Sequence, residues 1–147
     1  METLTIERTV HAPLEVVWQL VSDVGDYAKY APNIDSSTVI SGEGFGLVRE
    51  CGSKEGRWQE LCTSWHDNES YEFEVQTEAS DYPFPFKILR GKWSVDSIND
   101  KHTIIRMEFK VKFKNKVVGW LLYPVMKIQF MKVCEKLLDN WQTTAET

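Results

Sequence analysis

Between Ile34 and Phe113 apolar side chains recur at every second position, in short runs broken by turn residues roughly every ten positions, the pattern of an antiparallel meander. The predicted strands are Ser36–Ile40, Phe45–Cys51, Arg57–Trp65, Ser70–Thr77, Phe86–Val95 and Thr103–Phe113. The connections carry turn chemistry, among them Ser41-Gly42-Glu43-Gly44, Gly52-Ser53-Lys54-Glu55-Gly56 and His66-Asp67-Asn68-Glu69. The last strand is the clearest. Ile105, Met107, Phe109, Val111 and Phe113 share one face, and Arg106, Glu108, Lys110 and Lys112 the other. Such a sheet meets water on one side and needs a core on the other.

The flanks limit what that core contains. Leu4, Ile6 and Val10 alternate with polar residues and predict a first strand, interrupted on its apolar face by Arg8. Leu14, Val17, Trp18 and Val21 predict a helix from Pro13 to about Ser22, with Pro13 at its first position. Asp26 is placed to cap a second short helix carrying Tyr27 and Tyr30, which Pro32 stops. After the strands comes one long helix, about Lys116 to Thr143, with Leu122, Met126, Phe130, Val133, Leu137 and Trp141 on one stripe. Pro124 should kink this helix or split off its first turn. The expected architecture is α+β: a seven-stranded curved antiparallel sheet around a long C-terminal helix, with two short helices after strand 1. A twisted sheet of this width curls, and one helix of ~10 Å diameter cannot fill its concavity. Side chains fill the remainder, or a cavity stays open.

Composition bounds the function. A chain of 147 residues reads as a single domain, residues 1–147, large enough for a full core without a metal or disulfide staple. Its net charge of -5 argues against nucleic acid as partner. Cys51, Cys62 and Cys134 have no metal-ligand spacing and read as reduced thiols of a cytoplasmic protein. No signal peptide and no integral membrane segment are expected, since the longest apolar stretch, Val117 to Met126, falls far short of ~20 residues. Six Trp, five Tyr and seven Phe supply rings for a core, a ligand site, or both. No phosphate-cradling or dinucleotide-binding glycine motif is present, so neither cofactor nor metal is expected.

The stretch Val10-His11-Ala12-Pro13-Leu14-Glu15-Val16-Val17-Trp18, continued by Leu20-Val21-Ser22-Asp23-Val24, Tyr27, Tyr30 and Pro32, resembles the opening of the SRPBCC/START superfamily. That superfamily holds StAR-related lipid-transfer domains, polyketide cyclases and birch-pollen-allergen-like proteins, with a helix-grip fold. The polyketide cyclase/dehydrase-like subgroup is the most similar. The resemblance implies a ligand site between the long helix and the concave sheet, at Tyr71, Phe73, Val75, Leu89, Trp93, Met107, Phe109, Leu122, Met126 and Phe130. The alternative is that these rings fill the core. It also implies two gate loops, Gly52 to Gly56 and Ala79 to Phe86, the second carrying Tyr82, Phe84 and Phe86. Two X-Pro bonds in that loop can hold a rigid or cis turn, and the loop can equally be a hydrophobic plug.

Two points stay open in the sequence. On the strand from Arg57, either Trp58 and Glu60 face inward, or Leu61, Thr63 and Trp65 do. An inward Glu60 is a polar anchor or an acid/base with a pKa raised by burial; the preferred reading puts it at the surface. Val117, Val118, Trp120, Leu121, Leu122 and Tyr123 are apolar nearly all round their helix. The preferred reading covers them with the aromatic loop, and otherwise they mark a contact site. Arg8 and Arg49 are expected to form ion pairs with a nearby Glu. Three functions follow. The first is binding, or transport, of a hydrophobic small molecule or lipid. The second is a cyclase/dehydratase-type enzyme using Glu60 or Tyr30. The third is an interaction factor or quinone-binding chaperone, with a weak homodimer or protein partner at Trp120 and Tyr123. The first is preferred.

Overall fold

The computed structural model describes all residues, Met1–Thr147. Seven strands, β1 (Glu2–Val10), β2 (Ser36–Ser41), β3 (Val48–Ser53), β4 (Gly56–His66), β5 (Ser70–Val75), β6 (Phe86–Asn99) and β7 (His102–Phe113), form one antiparallel sheet. Its order is β1-β7-β6-β5-β4-β3-β2. The meander after residue 35 pairs neighbour with neighbour, and β1 closes onto β7, with Leu4 opposite Phe109 and Ile6 opposite Met107. Helices α1 (Leu14–Val21) and α2 (Tyr27–Tyr30) follow β1, joined by a 3-10 turn at Val24–Asp26, and α3 (Lys116–Glu146) lies across the concave face. This is the helix-grip arrangement.

Local expectations fail at three places, and at a fourth, Pro124, one of the two expected outcomes is absent. Phe45 belongs to no strand: it is exposed in a turn flanked by Gly44 and Gly46, both at positive φ, and β3 begins only at Val48. Asp26 makes no side-chain cap to α2. Pro13 precedes α1 as its N-cap residue, and its carbonyl accepts from Val16 and Val17. Pro124 does not split α3, which runs through it as one helix. The carbonyl losing its partner there is that of Trp120, a residue open to solvent, so water can take the bond.

What starts α3 is Asn115, whose side chain accepts from Val117 N at 2.8 Å and Val118 N at 3.2 Å. One turn on, Gly119 lies so close to Phe113 that a Cβ would sit 2.9 Å from the ring. From there the helix has two halves. Cys134, Leu137, Leu138 and Trp141 are buried in the core, and the C-terminal half is clamped to β1 by Arg8, which reaches Glu135 at 2.7 Å and Asp139 at 2.8 Å. The polar break in the β1 pattern is thus an ion-pair seat for α3. Over the N-terminal half, Val117, Trp120, Leu121, Leu122, Val125 and Ile128 are exposed. The aromatic loop does not cover them, contrary to the preferred reading.

Candidate functional site

The inward rings divide into two groups according to which helix lies over them. Under α1, Tyr71 is stacked between Trp65 (centroids 5.1 Å) and Trp93 (5.3 Å), and its hydroxyl donates to the carbonyl of Val21. Met107, opposite Ile6 and Trp93, is fully buried. These two residues are core, not cavity wall, because α1 closes that end of the sheet. Tyr30 is also away from the cavity, its ring beside Trp141 and its carbonyl accepting from Asn140.

Under the N-terminal half of α3 the concavity stays open. A cavity of about 630 Å³ is lined by Phe73, Val75, Leu89, Trp93, Phe109, Leu122, Met126 and Phe130, which the sequence pointed to. Two features shape its walls. Phe109 and Phe130 meet edge to face with centroids 4.7 Å apart. Gly91, opposite both Phe73 and Phe109, leaves room that a side chain would take: a Cβ there would lie 2.6 Å from the Trp93 ring. An isolated glycine inside a strand was the signal for this close approach.

The mouth is aromatic. Tyr82, Phe84 and Phe86 line it, and ring contacts run from Trp58 through Phe84 and Phe86 to Phe113. No peptide bond is cis, so Pro83 and Pro85 stiffen the loop in the trans form. Its base is tied by Thr77 Oγ1 donating to Lys87 O at 2.6 Å and Lys114 N to Pro85 O at 3.0 Å. From the other side the β3–β4 hairpin contributes Ser53, Lys54 and Glu55 to the wall. Gly52 and Gly56 only shape that hairpin: Gly56, at φ 147°, lies against Pro83 of the facing loop.

The polar end of the cavity corrects the preferred reading of β4. Glu60 is buried, 6% exposed, and its Oε1 accepts from Arg49 Nη2 at 2.6 Å while Oε2 accepts from Trp58 Nε1 at 2.8 Å. The alternation was ambiguous because the ladder slips between Cys62 and Ser64. Before the slip Glu60 and Cys62 point inward, opposite Val75 and Phe73; after it Trp65 does, opposite Tyr71. Both candidate faces are therefore partly inward.

Arg49, 1% exposed, is held between two rings, with its guanidinium carbon 4.3 Å from the Phe73 centroid and 4.7 Å from that of Tyr27. Nη1 donates to Val24 O at 3.2 Å. Burial, the largest single influence, disfavours the charge, but the Coulombic pull of Glu60, the influence of Cys51 and the Glu60 hydrogen bond together outweigh it, so the Arg49 pKa is raised and the cation persists. Both expected ion pairs, those of Arg8 and Arg49, form. Around this pair, burial raises the pKa of the Tyr27 and Tyr82 hydroxyls and the Cys51 thiol, keeping all three protonated at neutral pH. Three wall residues carry buried donors without a protein partner: Arg49 Nε, Tyr82 Oη and Trp93 Nε1. The site is thus a largely apolar chamber in which the buried carboxylate, Glu60, is already engaged, while Asp35 and Glu55 add carboxylates elsewhere on its wall. No cluster of His, Cys, Asp or Glu has the geometry to hold a metal ion.

Comparison with known proteins fits this geometry. Residues 1–146 match the family described as polyketide cyclase/dehydrase and lipid transport. The chain belongs to this family. A search of curated proteins finds no matching sequence. Among solved structures, the chain is similar to a START superfamily protein from Mycobacterium smegmatis (17% identity, TM-score 0.77, covering 98% of this chain and 97% of that one). A protein from Thermus thermophilus matches at 20% identity and TM-score 0.77, covering 97% and 95%. The Zhui aromatase/cyclase from a Streptomyces species matches at 16% and 0.73, covering 99% and 93%. At these identities the likeness is one of fold.

Proposed function

We propose that this family member binds a hydrophobic small molecule or lipid between the sheet and the N-terminal half of α3. The observation carrying this reading is the 630 Å³ chamber with its largely apolar, aromatic wall. The rings select against polar ligands. Residues proposed to contact the ligand are Phe73, Leu89, Trp93, Phe109, Met126 and Phe130, with Tyr82, Phe84 and Phe86 controlling entry. Three free, buried thiols suit a reducing compartment, and we place the protein in the cytoplasm.

Cyclase/dehydratase chemistry is the second reading, favoured by one group: the Tyr82 hydroxyl, protonated and without a protein partner at the wall. Glu60 serves that reading poorly, because both its oxygens already accept hydrogen bonds.

The test is native mass spectrometry of the purified chain with identification of any co-purifying molecule, alongside titration with an environment-sensitive apolar dye. Saturable binding that Phe109→Ala and Phe130→Ala weaken supports the pocket. No adduct and no saturable binding overturns it. Tyr82→Phe separates the two readings: a carrier keeps most of its affinity, whereas an enzyme loses turnover of the identified ligand.

A further inference from the structure

We propose that the N-terminal half of α3 docks on an anionic lipid surface and presents the mouth of the cavity to it. Val117, Leu121, Val125 and Ile128 recur at steps of four and three, forming a stripe turned away from the buried Leu138 and Trp141, with Trp120, 78% exposed, beside it. This stripe is ~17 Å long at 1.5 Å per residue.

The charge around it decides the occupant. From Phe109 to Cys134 the sequence holds six lysines and no acid, in a chain whose net charge is -5. Lys110 and Lys112 lie on the outer face of β7. Lys114, Lys116, Lys127 and Lys132 are exposed around the α3 stripe, and Lys114 also reaches over the Tyr82 ring of the mouth loop. The first acids further along the helix, Glu135 and Asp139, are engaged by Arg8. An apolar helical stripe framed by lysines is the composition that lies in the boundary of an anionic bilayer. By composition alone α3 is apolar enough to cross a membrane. Its C-terminal half is locked in the core through Leu137, Leu138 and Trp141, so the helix lies on the surface instead.

Position links the surface to the cavity. Leu122 and Val125 are exposed and also line the cavity. A ligand leaving between α3 and the mouth loop therefore passes from apolar wall to apolar lip and into lipid.

The experiment is co-sedimentation of the full chain with vesicles of pure phosphatidylcholine or of phosphatidylcholine mixed with phosphatidylglycerol, at low and high salt. Binding to the anionic vesicles alone, weakened by salt, is expected. Each lysine near the surface contributes about fivefold, so Lys116→Glu with Lys127→Glu should together lower binding about 25-fold or more. Trp120→Ser with Leu121→Ser should abolish it while leaving the melting temperature and the dye titration of the cavity unchanged. Equal binding to both vesicle types, no binding, or indifference to these substitutions overturns the proposal. So does a dimer in sedimentation equilibrium that Trp120→Ser dissolves, which would make the stripe a contact between copies. Loss of dye binding with vesicle binding intact would instead bring down the pocket reading alone.

Discussion

At the scale of single residues, the pair Arg49–Glu60 is the most consequential contact in the chamber. Two charges 2.6 Å apart, both buried, are balanced only while both are present. Glu60→Ala leaves an uncompensated cation beside Phe73 and should cost ~3–5 kcal/mol, read from urea denaturation. Replacing both, Arg49→Met with Glu60→Leu, should recover most of that loss, because the desolvation cost disappears with the charges. A double variant no better than Glu60→Ala would mean that the pair's value lies in its hydrogen bonds to Val24 and Trp58. The buried thiols make a second residue-level prediction. Burial, and then the Glu135 carboxylate, push the Cys134 thiol up to about 12 from an ordinary 9.0. Above pH 9 the unfolded chain releases this proton and the native chain holds it, so stability is full below pH 9 and falls as pH rises towards 12. The slope is ~1.4 kcal/mol per pH unit per thiol. Cys51 and Cys62 shift in the same direction. Urea midpoints followed from neutral to alkaline pH should therefore fall less steeply in Cys134→Ala.

Elements show how far the pattern of a sequence carries. Strand positions were legible because period-two alternation is written by burial itself: on β7 the inward set Ile105, Met107, Phe109 and Val111 is buried as the alternation requires. Glu60 was not legible, because the slip at Cys62/Ser64 reverses the alternation's phase within one strand, and a local pattern does not show where a partner strand slips. Nor did the pattern separate Tyr71 and Met107 from the cavity residues. All face inward, and which of them meet open space depends on where α1 and the two halves of α3 come to rest. The stripe on α3 carried the same ambiguity. It continues from Leu122 to Trp141, yet only its second half is buried. That difference is measurable. Leu137→Ala, at a position 1% exposed, should cost ~2–5 kcal/mol. Ile128→Ala, 61% exposed on the same helix, should stay within ~0.5 kcal/mol. Comparable losses at both positions would mean that the N-terminal half is packed against something in solution.

On the scale of the whole molecule, one helix does two jobs whose requirements differ. Its second half must be fixed, since it completes the core and holds Arg8. Its first half must span the cavity without filling it, and is held at its start by the Asn115 cap and the Gly119–Phe113 contact. A stretch of helix held at both ends but unpacked over a cavity between them opens locally more easily than the chain unfolds globally. Amides from Leu122 to Gln129 should therefore exchange hydrogen faster than those from Leu137 to Asn140. The pocket reading adds a direction. A ligand that bridges Phe109 and Trp93 to Met126 and Phe130 replaces the missing packing beneath the first half. At about a hundred times its dissociation constant it adds ~2.7 kcal/mol to native stability. Mass-resolved hydrogen exchange with and without the co-purifying molecule, or the apolar dye in its place, should then slow exchange most between Leu122 and Phe130. Slowing confined to the exposed Val117–Leu121 turn would place the molecule on the outer stripe and not in the cavity. Uniform slowing along α3 would mean that the two halves open as one unit, and that the division seen in their burial has no counterpart in their dynamics.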